Sequence, residues 1–229
     1  EDIIRQWFKK NLPSLLKEKS DVAEEFLASP YVYDFYRFEG NAQSLRIVSK
    51  LHDFKGEFDG LDLTAATLNT ILKYTYPSSQ KKTAQITSKK VGYFYAEEET
   101  FQKVTEITGA GTNRHPLTFI LEAADDIAYL VADMEDAIGK GVISFRDVRE
   151  FLLENLSTDA YNAPHSVHTR EVLNTIDEKV FSVNRFFVDL RDKLIDGARH
   201  NFVNHYDEIM AGTFNQDLFK NSWAEDLYV

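Results

Sequence analysis

The stretch HPLTFILEAADDIAYLVADMED, residues 115–136, decides the fold class of this protein. Apolar and acidic side chains alternate in it with helical periodicity, so it predicts one long amphipathic helix. The side chains expected in the core are Ile120, Leu121, Ile127, Leu130, Val131 and Met134. The side chains expected on the opposite, acidic face are Glu122, Asp125, Tyr129, Asp133 and Asp136, with Asp126 and Glu135 at its flanks.

The acidic face has two interpretations, a solvated outer surface or a site for a ligand. Most of its acids are Asp, which is a weaker helix former than Glu. No Lys or Arg lies between Arg114 and Lys140, so the carboxylates repel one another without a basic partner inside the helix. A divalent cation, or a ligand that offers hydrogen-bond donors, would relieve this repulsion because carboxylate oxygens suit hard cations.

The remainder of the chain also shows helical patterns. Its 229 residues are 43% hydrophobic and 13% aromatic, which is enough to build a core, and no strand pattern recurs. We therefore predict an all-α protein, a single mainly helical domain over residues 1–229, with long helices within 168–211. Pro13 is expected to interrupt the first helix. Expected helix caps are Asp62 or Thr64, and Ser144 with Asp147.

Charge and composition exclude several classes of protein. A net charge of -11 argues against a general polyanion binder. The absence of Cys excludes disulfides, thiolate metal sites and cysteine nucleophiles. No apolar run could span a bilayer and no signal-peptide pattern opens the chain, so a cytoplasmic protein without membrane attachment is expected. The chain lacks an initial Met and begins in mid-helix, which predicts that it is part of a longer protein or that its numbering begins after a cut.

Several blocks of the sequence resemble one family. RHPLTFILEAADDIAYLVADMEDAIGKG (114–141) is similar to the signature helix of the deoxyguanosinetriphosphate triphosphohydrolases, the dGTPase branch of the HD-domain phosphohydrolases. FYRFEGNAQSLRIVSKL (35–51) and LNTILKYTYP (68–77) resemble two further blocks of that family in the same order. KKVGYFYAEEE (89–99) and IMAGTFNQDLF (209–219) resemble weaker ones.

The resemblance implies an HD-domain-like helical bundle, of which this chain would be a part. It also implies hydrolysis of a deoxynucleoside triphosphate, with dGTP the expected one, to the deoxynucleoside and inorganic triphosphate. A divalent metal (Mg, Mn or similar) is held in this family by a histidine, a His-Asp pair and a later aspartate, which corresponds to Asp125. Tyr129 and Asp133 match residues that contact the deoxyribose and its 3′-hydroxyl.

Other site residues follow from the same blocks. Glu1 occupies the position of a catalytic glutamate. Candidates to hold the triphosphate are Lys73, Tyr74 and Lys89 or Lys90, and Arg37 and Asn41 are expected to face the site. For the lysines the alternative is a solvated surface position, and for Asn41 it is a helix cap. The metal-binding histidine and His-Asp pair are expected before Glu1, so this chain alone is expected to be inactive.

The dipeptide His52-Asp53 is a literal His-Asp pair, but we do not interpret it as the metal motif. No histidine precedes it, and it lies at the end of a predicted helix. His115 is expected to cap or order the start of the acidic helix.

The main alternative to an enzyme is a non-catalytic helical module for regulation or oligomerisation. Family members tend to form homo-oligomers, and some respond to single-stranded DNA. The basic loop 81–90, followed by Tyr93, Phe94 and Tyr95, could stack bases of such a strand.

Overall fold

The computed structural model describes residues 1–17, 20–52, 60–80, 85–159, 163–177 and 179–228. The chain divides into two compact units, Glu1–Thr118 and Phe119–Val229. Helices make up most of the described residues, which contain no β-strand and a single isolated bridge between Pro77 and Tyr93. The all-α prediction is therefore confirmed, whereas the prediction of one domain over residues 1–229 stays a prediction.

The first unit is built from short helices around a long connecting segment. Its helices are α1 (Asp2–Leu16), α2 (Ser20–Ala28), α3 (Val32–Tyr36), α4 (Gly40–Arg46), α5 (Ala65–Thr70) and α6 (Glu98–Thr108). A π-helical turn, Ile47–Leu51, continues α4, and two 3-10 turns, Ile86–Ser88 and Tyr95–Glu97, lie between α5 and α6. The helix predicted from the acidic stretch is α7 (Pro116–Gly139), which begins in this unit and continues into the second.

The second unit contains α8 (Phe145–Asn155), α9 (Pro164–Thr175), α10 (Val180–Asn204) and α11 (Tyr206–Met210), followed by a 3-10 turn at Glu225–Leu227. The long helix predicted within 168–211 is α10, which has 25 residues. The core of this unit is one large cluster in which Phe187, Leu190 and Leu194 of α10 are almost fully buried. Within the described residues, no helix combines the length and apolar content that a membrane span requires.

The expectation that Pro13 interrupts the first helix is wrong, because α1 runs through it to Leu16. Pro13 removes one backbone hydrogen bond. Tertiary packing holds the helix, since Phe8 meets Phe35 of α3 edge to face at 5.0 Å, and Phe35 in turn meets Phe26 of α2 at 5.8 Å. Such packing routinely overrides local propensity.

Two of the expected helix caps are present. The Thr64 hydroxyl accepts a hydrogen bond from the Thr67 amide at 3.2 Å at the start of α5. Ser144 and Asp147 form a full capping box, because the Asp147 amide donates to the Ser144 hydroxyl and the Ser144 amide donates to the Asp147 carboxylate at 2.7 Å. Short-range sequence patterns therefore locate these helix starts correctly.

Buried Asp34 anchors the long segment that connects α5 to α6 in the first unit. Its carboxylate accepts hydrogen bonds from the Ser78 hydroxyl and from the Tyr95 and Ala96 amides, the last two at 2.6 and 3.2 Å. Farther along the segment, Gly92 lies close to the backbone of Tyr74. A Cβ added to Gly92 would lie 1.8 Å from the Tyr74 carbonyl oxygen. The predicted loop therefore has a defined conformation where the structure describes it.

The apolar face of α7 is buried as expected at most positions of the second unit. Ile127 and Val131 are buried, and Leu130 and Met134 pack against the same core. Ile120 and Leu121 were expected in the core but are 45% and 44% exposed. Ile120 borders an open apolar groove of about 290 Å³ between α7 and α10, and Leu121 points about 100° away around the helix.

Candidate active site

Three side chains of α7 form an exposed row. Asp125, Tyr129 and Asp133 are spaced by four residues, so they lie above one another on one face of the helix. All three are exposed, and the Tyr129 side chain is 65% exposed. The structure thus brings together the three residues that the family resemblance singled out on this helix.

Other acids of α7 are occupied by partners within the second unit. Asp126 accepts a hydrogen bond from the Tyr228 hydroxyl at 3.0 Å, and Glu135 pairs with Arg191 of α10 at 3.2 Å. Asp136 pairs with Lys140 at 2.9 Å.

The two acids of the row differ from these neighbours. No described residue forms a hydrogen bond or an ion pair with Asp125 or Asp133. Their carboxylate oxygens are therefore open to a ligand from outside the helix.

The row alone does not make a metal site. The described residues contain no group of three or more His, Cys, Asp or Glu side chains that could hold a metal ion. A divalent ion needs at least three protein or substrate ligands, and Asp125 could contribute one. These residues therefore do not fit a complete metal centre on their own.

The histidines singled out in the sequence lie elsewhere. His52 is exposed at the end of the π-helical turn, and Asp53 lies outside the described residues. His115 accepts a hydrogen bond from the Leu117 amide at 3.3 Å, which confirms that it orders the start of α7.

A second group of candidate residues surrounds Glu39 in the first unit. The Glu39 side chain is 3% exposed, and its carboxylate accepts hydrogen bonds from Arg5 at 2.8 Å and from the Asn41 amide at 3.1 Å. Lys90 Nζ lies 3.8 Å from the same carboxylate. Arg5 also pairs with Glu1 at 3.0 Å, so one guanidinium bridges two glutamates. We call Glu1, Arg5, Glu39, Asn41 and Lys90 the Glu39 cluster.

Glu1 is fixed at the edge of this cluster by the backbone of α4. Its Oε1 accepts a hydrogen bond from the Gly40 amide at 2.9 Å. Partial burial by itself raises the pKa of Glu1, but the Gly40 amide, Glu39, Arg5 and Lys90 together outweigh it and hold the pKa below its ordinary value. Hydrogen bonds and positive charges favour the ionised form, so Glu1 is a carboxylate at neutral pH.

The alternative role of Asn41 as a helix cap is wrong. The helix α4 begins at Gly40, and Glu39 precedes it without a side-chain cap. Asn41 lies in the first turn, where its amide donates to Glu39.

The remaining candidates of the first unit have other partners. Arg37 donates to the carbonyl oxygens of Ser78 and Gln80, the first at 2.8 Å, and stacks on Tyr33. Tyr74 is buried with the Arg114 guanidinium 5.5 Å from its ring centre, and Arg114 also donates to the Lys73 carbonyl at 2.7 Å. Lys89 is exposed.

The aromatic residues proposed to stack bases are mostly unavailable, which corrects the expectation for Tyr93 and Phe94. Both are buried, Tyr93 stacked on Phe101 and Phe94 beneath the Arg46 guanidinium. Tyr95 is half-buried against Tyr31. Residues 81–84 of the basic loop lie outside the described residues.

Sequence patterns missed two members of the Glu39 cluster, Arg5 and Glu39 itself. Arg5 stands four residues after Glu1, a spacing that is common in ordinary surface ion pairs. Glu39 belongs to the EGNAQ block, but its burial depends on contacts from α1 and from Lys90, which are distant in sequence. The signal that could have indicated Glu39 was its position in the EGNAQ block, directly before Gly40 and Asn41.

Comparison with known proteins supports the resemblance along the chain, although no family model matches it. A Listeria monocytogenes protein named deoxyguanosinetriphosphate triphosphohydrolase-like is 42% identical over 99% of this chain and 49% of its own length. A probable deoxyguanosinetriphosphate triphosphohydrolase of Pseudomonas aeruginosa is 30% identical over 96% of the chain and 48% of its own length. A deoxyguanosinetriphosphate triphosphohydrolase of Yersinia enterocolitica is 32% identical over 97% of this chain and 48% of its own length.

The chain spans about half the length of these curated relatives. The match extends over 99% of this chain for the Listeria protein and over 96% and 97% for the other two. The chain belongs to the deoxyguanosinetriphosphate triphosphohydrolase family.

Proposed function

We propose that the whole protein hydrolyses a deoxynucleoside triphosphate, with dGTP as the expected substrate, to the deoxynucleoside and inorganic triphosphate. The names of the relatives support this reaction class. We further propose that this chain contributes one metal ligand and most contacts to the sugar and the phosphates. Because the chain covers about half of each relative, the activity is assigned to the whole protein.

The observation that carries the proposal is the pattern of partners on α7. Its neighbouring acids Asp126, Glu135 and Asp136 have direct partners, whereas Asp125 and Asp133 form no hydrogen bond or ion pair with a described residue. Like charges on one helix face repel each other, and a cation or a ligand with hydrogen-bond donors would relieve that repulsion. A ligand that binds along the row would account for all three.

The dimensions of the row suit a nucleotide. A helix rises about 1.5 Å per residue, so Asp125 and Tyr129 are about 6 Å apart along the axis, and Asp133 lies about 6 Å farther. This spacing allows Asp125 to act near the α-phosphate while Tyr129 and Asp133 contact the deoxyribose and its 3′-hydroxyl. A tyrosine ring against the sugar also leaves little room for a 2′-hydroxyl, which favours deoxyribose.

Asp125 is proposed as one ligand of a divalent ion such as Mg or Mn. The described residues contain no group that would supply the other ligands. The proposal for Asp125 can be tested by metal affinity as well as by activity.

Glu1 is proposed to orient the attacking water. A carboxylate whose pKa is lowered stays ionised at neutral pH and accepts a hydrogen bond from water, although it is a weak base. Arg5 and the Gly40 amide fix its position.

The positive side chains of the first unit are proposed to neutralise the triphosphate. Lys73 and Lys90 supply charge, and Tyr74, Asn41 and Arg37 supply hydrogen-bond donors.

Product analysis tests the reaction class directly. The full-length protein should convert dGTP to deoxyguanosine and inorganic triphosphate in the presence of Mg or Mn, as followed by phosphorus NMR and chromatography of the nucleosides. GTP should be hydrolysed much more slowly. Release of pyrophosphate or orthophosphate from dGTP, or equal rates with GTP, would reject the proposed reaction.

A further inference from the structure

The outer face of α10 carries a row of exposed apolar side chains. Val188, Ile195 and Val203 are 50%, 50% and 61% exposed within the described part of the chain. At about 100° per residue they lie within an arc of about 80° on the helix, together with the exposed side chains of Asp192 and Arg199. We call these five residues the α10 face. Apolar side chains aligned on one exposed helix face favour association with another protein surface.

An apolar groove of about 290 Å³ runs beside the α10 face, within the second unit. Ile195 and Val203 belong to both the face and the groove. The opposite side of the groove is formed by α7, where Ala124 is small and Ile120 is 45% exposed. The α10 face and the groove therefore form one continuous apolar surface.

The residues of the α10 face are arranged symmetrically along the helix. Its two valines lie equally far from the midpoint between residues 195 and 196, and so do Asp192 and Arg199. Two copies of α10 that pack antiparallel about a two-fold axis at this midpoint bring Val188 opposite the partner subunit's Val203. The same axis brings Asp192 opposite the partner subunit's Arg199, and Ile195 next to the partner subunit's Ile195. The face is thus complementary to itself in both apolar contacts and charge.

The charged groups of the α10 face are available for contacts between subunits. Asp192 is exposed and forms no hydrogen bond or ion pair with a described residue. Arg199 donates to Asp196 through Nε and Nη2, and its Nη1 donates to no described residue. Exposed ion pairs add little affinity, so these charges fix the register of the contact, whereas the apolar side chains supply its affinity.

We infer that a second copy of this chain docks on the α10 face, antiparallel and about a two-fold axis at residues 195–196. Ile195 packs against the partner subunit's Ile195 at the mouth of the groove, and an ion pair between Asp192 and Arg199 flanks this contact on each side. The inference assigns a surface to the expected homo-oligomerisation. It goes beyond the proposed hydrolysis, because no residue of the α10 face belongs to the candidate active site.

The mass of the full-length protein in solution tests the inference. A two-fold contact joins subunits in pairs, so sedimentation equilibrium of the parent protein should give an even number of chains. Ile195→Glu places two carboxylates next to each other at the axis and should dissociate the assembly into species of half the parent mass. Ile107 of α6 is also an exposed apolar residue, at 66%, so Ile107→Glu is the matched control and should keep the parent mass.

Reversal of the charges tests the register. Asp192→Arg places arginine opposite arginine twice in each contact, so the concentration at which the assembly dissociates should rise about tenfold or more. The double variant Asp192→Arg with Arg199→Asp exchanges the two charges, and this concentration should return to within about threefold of the parent value. Glu154→Arg, which replaces an exposed acid of α8, should leave it unchanged.

The inference is overturned if the parent protein contains an odd number of chains, or if Ile195→Glu and Asp192→Arg both keep the parent assembly. Asp192 is exposed, so its variant keeps the test valid even if Ile195→Glu fails to fold. Dissociation of Asp192→Arg that the double variant does not reverse overturns the antiparallel register. A monomeric parent that hydrolyses dGTP rejects this inference alone, because mass and hydrolysis are measured separately.

Discussion

Arg5 is the residue on which the Glu39 cluster depends. Its guanidinium joins Glu1 to buried Glu39, and its Nε donates to the Phe38 carbonyl at 2.6 Å. A buried carboxylate without a positive partner is strongly destabilising. Arg5 therefore affects both the stability of the first unit and the ionisation of Glu1.

Replacement of Arg5 by Gln should lower the free energy of unfolding by about 2–3 kcal/mol, because Glu39 is buried whereas Arg5 is partly exposed. Arg199→Gln is a suitable control. Arg199 forms an exposed pair with Asp196, and its loss should change stability by less than about 0.5 kcal/mol. Urea unfolding of the two variants measures the difference, and equal stabilities would contradict the assigned role of Arg5.

The same variant should raise the pKa of Glu1 towards its ordinary value of 4.5. The pKa of Glu1 is lower in the folded protein than in the unfolded chain, so the ionised Glu1 carboxylate stabilises the fold. This stabilisation is complete above pH 4.5 and is lost as the pH falls through the lowered pKa. Carboxyl-carbon NMR titration of the parent and of Arg5→Gln measures this shift. A Glu1 pKa that is the same in both proteins would contradict the assigned contact.

At the scale of elements, local sequence patterns predicted two helix caps but not the continuation of α1 through Pro13. Thr64 and the Ser144–Asp147 capping box involve residues at most three positions apart, so the sequence contains the whole interaction. The continuation of α1 through Pro13 depends on aromatic contacts with α3, which local patterns do not encode.

The burial of side chains on α7 was likewise only partly predictable from the sequence. Its helical periodicity predicted the row Asp125, Tyr129 and Asp133, because residues on one helix face are fixed by spacing alone. The exposure of Ile120 was not predictable, since it depends on how the neighbouring helix α10 packs. The partners that separate the satisfied acids from the open ones, Arg191 and Tyr228, are likewise distant in sequence.

The pairing of the segment around Tyr74 with that around Gly92 gives a prediction about stability. Gly92→Ala would place a Cβ 1.8 Å from the Tyr74 carbonyl oxygen, and the backbone cannot move away without breaking the hydrogen bond that the Gly92 N–H donates to the Tyr76 carbonyl. The free energy of unfolding should fall by about 3 kcal/mol. In the control Gly139→Ala the added Cβ meets no atom within 4 Å, so little change is expected. The midpoints of thermal unfolding of the two variants measure the difference. Equal midpoints would contradict the close approach of Gly92 to the Tyr74 backbone.

At the scale of the whole molecule, the sequence predicted the all-α class and the family. Helical periodicity recurs along the chain, and the family blocks are continuous segments that need no tertiary information. Homo-oligomerisation and an effect of single-stranded DNA stay predictions. The burial of Tyr93 and Phe94 removes two of the three aromatic rings that were expected to stack on such a strand.

The central claim is that Asp125 is a ligand of the catalytic metal. The most direct test compares the rates of dGTP hydrolysis by two variants of the full-length protein, Asp125→Asn and Asp136→Asn. Both variants remove one negative charge from α7, but Asp125 is open to a ligand whereas Asp136 only pairs with Lys140. The rate should fall at least about 100-fold in Asp125→Asn, together with metal affinity, and stay within about twofold of the parent in Asp136→Asn. Full activity in Asp125→Asn, or an equal loss in both variants, would contradict the account.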